Sequence, residues 1–219
     1  MEEHCKVVDK QFGVKIYGEN GPKQNSCIHA QPTLITNRLI LRPLTHADAP
    51  SIQALASARA VADTMVSIPH PYPEGEAERY IVRQMAEFEA GHTIAFAIEH
   101  NEKAKFVGVV EIRDIECEHA QAELSFWLAV EAWGQGYMSE ALNPILFFGF
   151  ENVDLNRFYA YHRVRNPGSG KVLQKNGFVQ EGVLRQRVQK WGVFEDVRLW
   201  AMLRSDWHNK TVSNLAINN

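Results

Sequence analysis

Two glycines one residue apart, Gly134 and Gly136 in the stretch WGQGYMSEAL, follow one apolar run, ELSFWLAV, and precede another, ALNPILFFGF. A strand entering a helix through such a turn leaves backbone N–H groups bare at the positive end of the helix dipole. That setting suits a phosphate or diphosphate, and glycine keeps side chains out of its way. A tight turn that only needs positive φ angles uses the same residues, and on this stretch alone the plainer reading stands. Two nucleotide-binding patterns do not fit: Ser139 occupies the third position of GxGxxG, and no lysine follows as in a Walker loop. A second candidate group is Glu123, which shares a strand face with Ser125 and Trp127 by period-two alternation. A buried carboxylate has a raised pKa and can accept a proton. Placed at a strand end in solvent, or paired with Arg113 or Arg165, it would do nothing of the kind. Glu111 is the alternative carboxylate.

These groups need a frame. Residues 1–33 read as an N-terminal arm or hairpin, with alternating Phe12, Val14 and Ile16 and a turn signal at Asn20-Gly21. LITNRLILRPL predicts a strand ending at Pro43, and Thr45 to Asp48 follow the Thr-x-x-acidic pattern of a helix start. A longer helix is predicted from about Gly75 to Ala90, with Gly91 ending it. TIAFAIE, KFVGVVEIRD and QAELSFWLAV predict three strands of an antiparallel meander. Met138, Leu142, Ile145 and Phe148 line one helix face, with Pro144 inside it predicting a kink or an early start. RFYAYHRV predicts a strand. Asn166, Pro167 and Gly177 then fit the cap, first turn and end of a short helix. Two last strands, about Val179 to Val188 and Val193 to Leu203, join at Lys190-Trp191-Gly192. The order predicts a mixed α/β sheet with helices on its faces.

Four blocks in this order resemble the GNAT superfamily of acetyl-CoA-dependent N-acetyltransferases, specifically the RimJ/RimL-like branch. They are TNRLILRPLTHAD, AELSFWLAVEAWGQGYMSEAL, NPGSGKVLQKNGF, and EGVLRQR followed by FEDVRLWAMLRSDW. The resemblance spans about residues 34–207, leaving the arm before it and a tail at 208–219. It implies a central, mostly antiparallel twisted sheet of about seven strands flanked by about four helices. It also implies acetyl-CoA as co-substrate, held at Gly134, Gln135, Gly136, Tyr137, Met138 and Ser139, with backbone N–H groups of Gln135 to Ser139 meeting the diphosphate. Trp133 is usual for the branch; Met138 departs from the family pattern. Leu128, Ala129 and Val130 would pair with the pantetheine arm like an added strand.

Many members protonate the leaving thiolate with a tyrosine, but Leu173 stands at that place and cannot donate. Ser169 lies one turn back on the same face, and the branch has Asn166 and Ser169 close to the thioester. The expectation is that Ser169 hydrogen-bonds the sulfur, Asn166 positions the pantetheine, and Glu123 collects the amine's proton, directly or through water. The expected function is acetyl transfer to a primary amine by direct attack, with a protein N-terminal amine preferred on branch resemblance. A small-molecule amine, or a non-catalytic acetyl-CoA-binding module, is the alternative.

Composition narrows the classes further. A net charge of −3 over 219 residues offers no positive field for a nucleic-acid or anionic membrane partner. No apolar run approaches a membrane span, and MEEHCKVVDK lacks a signal-peptide core. Three cysteines without CxxC spacing argue against a disulfide framework or structural zinc, and fit a reducing cytoplasm. Nine scattered histidines without HExxH predict no metal site. A monomer or a homodimer is compatible with all of this.

Overall fold

Alternation along the strands sorts their side chains onto two faces, and both faces are covered. The computed structural model describes residues 5–9, 14–17 and 31–217, with side chains from 31 to 210. In β5 (Ile94–His100), Ile94, Phe96 and Ile98 enter one core cluster while Ala95 and Ala97 enter another. The same split holds in β6 (Lys105–Glu116) and β7 (Gln121–Leu128): Val110, Ile112 and Leu124 face the first cluster, Val109 and Trp127 the second. Two layers of helices therefore sandwich one sheet.

The second cluster is closed by α1 (Ala49–Ala56), α2 (Arg59–Thr64) and α3 (Glu76–Glu89), through Ile52, Val61, Ala77 and Ile81. The first is closed by α4 (Tyr137–Glu151), α5 (Pro167–Asn176) and Trp207 of α6 (Arg204–Ile217). The remaining strands are β1 (Cys5–Asp9), β2 (Val14–Tyr17), β3 (Thr33–Ile35), β4 (Leu39–Pro43), β8 (Arg157–Arg163), β9 (Val179–Lys190) and β10 (Val193–Leu203). Their spatial order is β1-β2-β3-β4-β5-β6-β7-β8-β10-β9. Every neighbouring pair is antiparallel except β7 with β8, which α4 connects as a crossover.

The mixed sheet, the β5–β7 meander, the Asn166 cap and the Trp191-Gly192 hairpin are as the sequence predicts. Beyond the two strands of the N-terminal hairpin, which the sequence reading sets apart as an arm, the described residues hold eight strands and six α-helices, against about seven and about four expected. The predicted strand ending at Pro43 is two strands, because Thr36 accepts from the Leu39 N–H at 3.0 Å and closes a tight turn between them. α2 has too few residues for a readable period, and α6 occupies much of the expected tail. β1 and β2 pair antiparallel, as the expected N-terminal hairpin would; Phe12 and Asn20-Gly21 lie outside the described residues. The Thr45 start opens on a short 3-10 turn, His46–Asp48, in which Asp48 accepts from the Thr45 N–H at 2.8 Å. α4 runs past Pro144 from an early start at Tyr137, and the proline is buried. One thiol departs from expectation: Cys117 is disulfide-bonded.

Candidate active site

Gly134 and Gly136 adopt φ +73° and +79°, a region that costs other residues about 1–2 kcal/mol. A Cβ at Gly134 would meet nothing within 4 Å, and one at Gly136 only Arg38 Nη2 at 3.7 Å. The requirement is conformational rather than steric, and the space in front of the turn is open. Gly136 is the N-cap of α4 and no side chain caps the helix; its carbonyl takes the first helical bond, from Glu140 N–H at 3.0 Å. The first-turn amides therefore face outward at the positive helix end.

Side chains from far away hold this turn. Glu140 accepts from Thr36 Oγ1 (2.6 Å), Arg38 N–H (2.9 Å) and Arg38 Nε (2.6 Å), while Arg38 Nη1 donates to the Gln135 carbonyl at 3.1 Å. Burial pushes the Glu140 carboxyl up, but these donors outweigh it and hold it below its usual range. Arg38 also stacks 4.7 Å from the Tyr137 ring centroid. Met138 is buried in the main core and also lines the cleft described next, so it faces both packing and cleft.

That cleft is an opening in the sheet. β7 and β8 pair only through Gln121, Ala122 and Glu123; from Leu124 on, β7 has no strand on that side. A cavity of about 210 Å³ fills the gap, lined by Phe126, Leu128, Gly134 and Met138 on one wall and Asn166 and Ser169 on the other. The strand ends at Leu128. Ala129 N–H donates to Val107 at 2.8 Å on the far side, and Val130 begins a 3-10 turn, Val130–Ala132. Trp133 Nε1 donates to the Leu128 carbonyl at 2.9 Å. The expected Leu128 to Val130 stretch thus begins at the last residue of β7, beside this unpaired edge, and runs into the 3-10 turn.

A second cavity of about 280 Å³ adjoins it, and Asn166 and Ser169 line both. Asn166 Nδ2 donates to Ser169 Oγ at 3.0 Å, which leaves the serine hydrogen free to donate elsewhere. Leu173 is buried in the core. Glu123 lines this second cavity, and burial raises its carboxyl even though Arg113 Nε stands 3.8 Å away and pulls the other way. Arg165 is occupied by Asp63 and Glu195, each at 2.6 Å. Glu111 is placed elsewhere. It accepts from Tyr80 Oη at 2.6 Å and lines a third cavity of about 360 Å³ under α3. Among the described residues no cluster of three or more His, Cys, Asp or Glu is placed to hold a metal. None of their helices is long and apolar enough to cross a membrane.

A family model for the acetyltransferase (GNAT) domain matches residues 38–179. The chain belongs to the GNAT acetyltransferases. Among relatives, an uncharacterized N-acetyltransferase, YoaA of Bacillus subtilis, is 29% identical over 178 residues, 79% of this chain and 97% of its own. The ribosomal-protein-serine acetyltransferase of Escherichia coli is 34% identical over 99 residues, 45% of this chain and 55% of its own. The crystal structure of spermidine N-acetyltransferase from Vibrio cholerae, in complex with CoA and spermine, superposes with a TM-score of 0.70 at 25% identity, covering 80% and 100% of the two chains. The protein is an acetyl-CoA-dependent N-acetyltransferase, and the RimJ/RimL-like resemblance holds.

Sequence reasoning missed several groups that line the second cavity, Tyr161, Arg163 and Arg187 among them. The signal for the first two was present, since Tyr159, Tyr161 and Arg163 alternate onto one face of β8. Lys190 gave none. Its ammonium donates to the carbonyls of Val66, at 3.1 Å, and Ile68, tying β9 to the loop after α2, whose Val66 lines the second cavity.

Proposed function

We propose that this GNAT enzyme acetylates the N-terminal amine of a protein, with the thioester laid along the β7–β8 opening and the amine in the adjoining cavity. The observation that carries the reading is the position of Asn166 and Ser169, which line both cavities at once. Bound acetyl-CoA supplies the thioester carbonyl. In the proposal the amides of Gln135 to Ser139 receive the diphosphate, and the free edge of β7 with Asn166 aligns the pantetheine. The amine attacks, its new C–N bond replaces the C–S bond, and its proton passes to Glu123, directly or through one water. The Ser169 hydroxyl donates to the departing sulfur.

An α-amino group with a pKa of about 7.7–8.0 needs far less help than a lysine at about 10.4. One half-buried carboxylate with a raised pKa suits that lighter task. The named activity of the ribosomal-protein-serine relative supports the same class. The test is mass spectrometry of products after the protein meets a lysate and isotope-labelled acetyl-CoA. Label on α-amines of protein N-termini is the expected result. Label confined to small amines, with no peptide modified, would move the acceptor to the small-molecule class.

A further inference from the structure

The amine-side cavity carries charge that acetyl transfer does not use. Three guanidiniums, Arg113, Arg163 and Arg187, line it against one carboxylate, Glu123. The Arg163 side chain is 2% exposed; Nη1 donates to Glu195 at 2.9 Å, while Nε and Nη2 are buried without a partner. Arg187 is exposed on β9 and donates no hydrogen bond among the described residues; it sits 5.9 Å from the Tyr161 ring centroid. The nearby acids are already engaged. Arg165 takes Asp63 and Glu195 at 2.6 Å each, Arg157 takes Glu181, and Arg113 divides itself between Asp114 at 3.5 Å and Glu123 at 3.8 Å. His162, also in the lining, is held toward neutrality by burial. Of the three lining guanidiniums, Arg187 has no carboxylate partner among the described residues, so a polycation entering here would meet its unpaired charge.

We infer that the acceptor carries a carboxylate a few atoms from its amine, contacted by Arg187 and received by the unpartnered buried Nε and Nη2 donors of Arg163. Resting on the N-terminal reading above, this makes the substrate a protein whose first two or three residues include an acidic side chain. Like-charged groups in a partly desolvated site repel, so the same arginines discriminate against polyamines and lysine-rich termini. The discrimination shrinks as salt rises, because Arg187 is exposed.

The experiment compares initial rates for peptides beginning Ser-Asp, Ser-Ala and Ser-Lys, for free aspartate, and for spermidine. The expected kcat/KM falls at least about tenfold from the Asp to the Lys peptide, the size of one well-placed charge contact. Arg187→Glu inverts that order with the acetyl-CoA KM unchanged, and Arg187→Lys preserves it. A Lys peptide or spermidine matching the Asp peptide, or an order unmoved by Arg187→Glu, overturns the inference. Turnover of free aspartate with no peptide used upholds the charge preference and sinks the N-terminal reading. Calorimetric binding of the same peptides to the coenzyme A complex gives a second measure; affinities that are equal or favour lysine overturn the inference there too.

Discussion

At the α4 end the groups offered to a ligand are main-chain amides, set by two left-handed glycines and locked by the Arg38–Glu140–Thr36 tie. Across the β7–β8 opening they are side chains from β7, β8, β9 and α5, brought together from residues more than sixty positions apart. The first half depends on backbone conformation and tolerates many side chains. The second depends on identity at each position, and under the proposed function it is where acceptor preference can change without loss of cofactor binding.

If the division is right, substitutions on the two sides should fail in different kinetic constants. The largest effect is expected from Glu123→Gln, a fall in kcat/KM of about a hundredfold at neutral pH, the lower range for a general base. Burial raises the Glu123 carboxyl, so it is protonated and idle at low pH and becomes a base as pH rises. The rate should therefore climb with pH through that raised value, and the Gln variant should keep only the limb set by deprotonation of the acceptor amine. An unchanged pH–rate profile would remove Glu123 from proton transfer. Ser169→Ala should lower kcat by roughly thirtyfold, for a charge-assisted hydrogen bond of about 2 kcal/mol, with acetyl-CoA binding intact. Full turnover in that variant would leave Asn166 as the only polar group at the junction with a proposed role.

On the other side, Gly136→Ala forces a side chain into φ +79° and should raise the acetyl-CoA KM about tenfold, for 1–2 kcal/mol of strain, with the acceptor KM unmoved. A change in acceptor KM alone would break the comparison. Lys190→Met should have the smallest effect, a few-fold rise in acceptor KM as the Val66 and Ile68 carbonyls lose their donor, with about 1 kcal/mol of stability lost.

Legibility followed the same line as the comparison. The glycine turn, the α5 cap and the meander rest on neighbours in the chain, where spacing reports conformation directly. Glu123 could be placed on the right face by alternation, yet whether it met Arg113, Arg165 or a cavity depended on which strands lay beside it. Where β7 parts from β8 was not legible, because nothing local marks the end of their pairing at Glu123. The clamp by Lys190 joins carbonyls 124 and 122 residues away, and backbone acceptors carry no residue code.

What the chain alone determined is conformational: where glycine must bend it, where helices begin, which side chains alternate inward, and the family that this order resembles. The folded sheet decided the rest. It separated β7 from β8 beyond Glu123, sent Glu111 to a different cavity, and gathered three arginines around one carboxylate. Short-range backbone preferences are written locally, while the charge and depth of a cavity are sums over strands that only the sheet order makes neighbours.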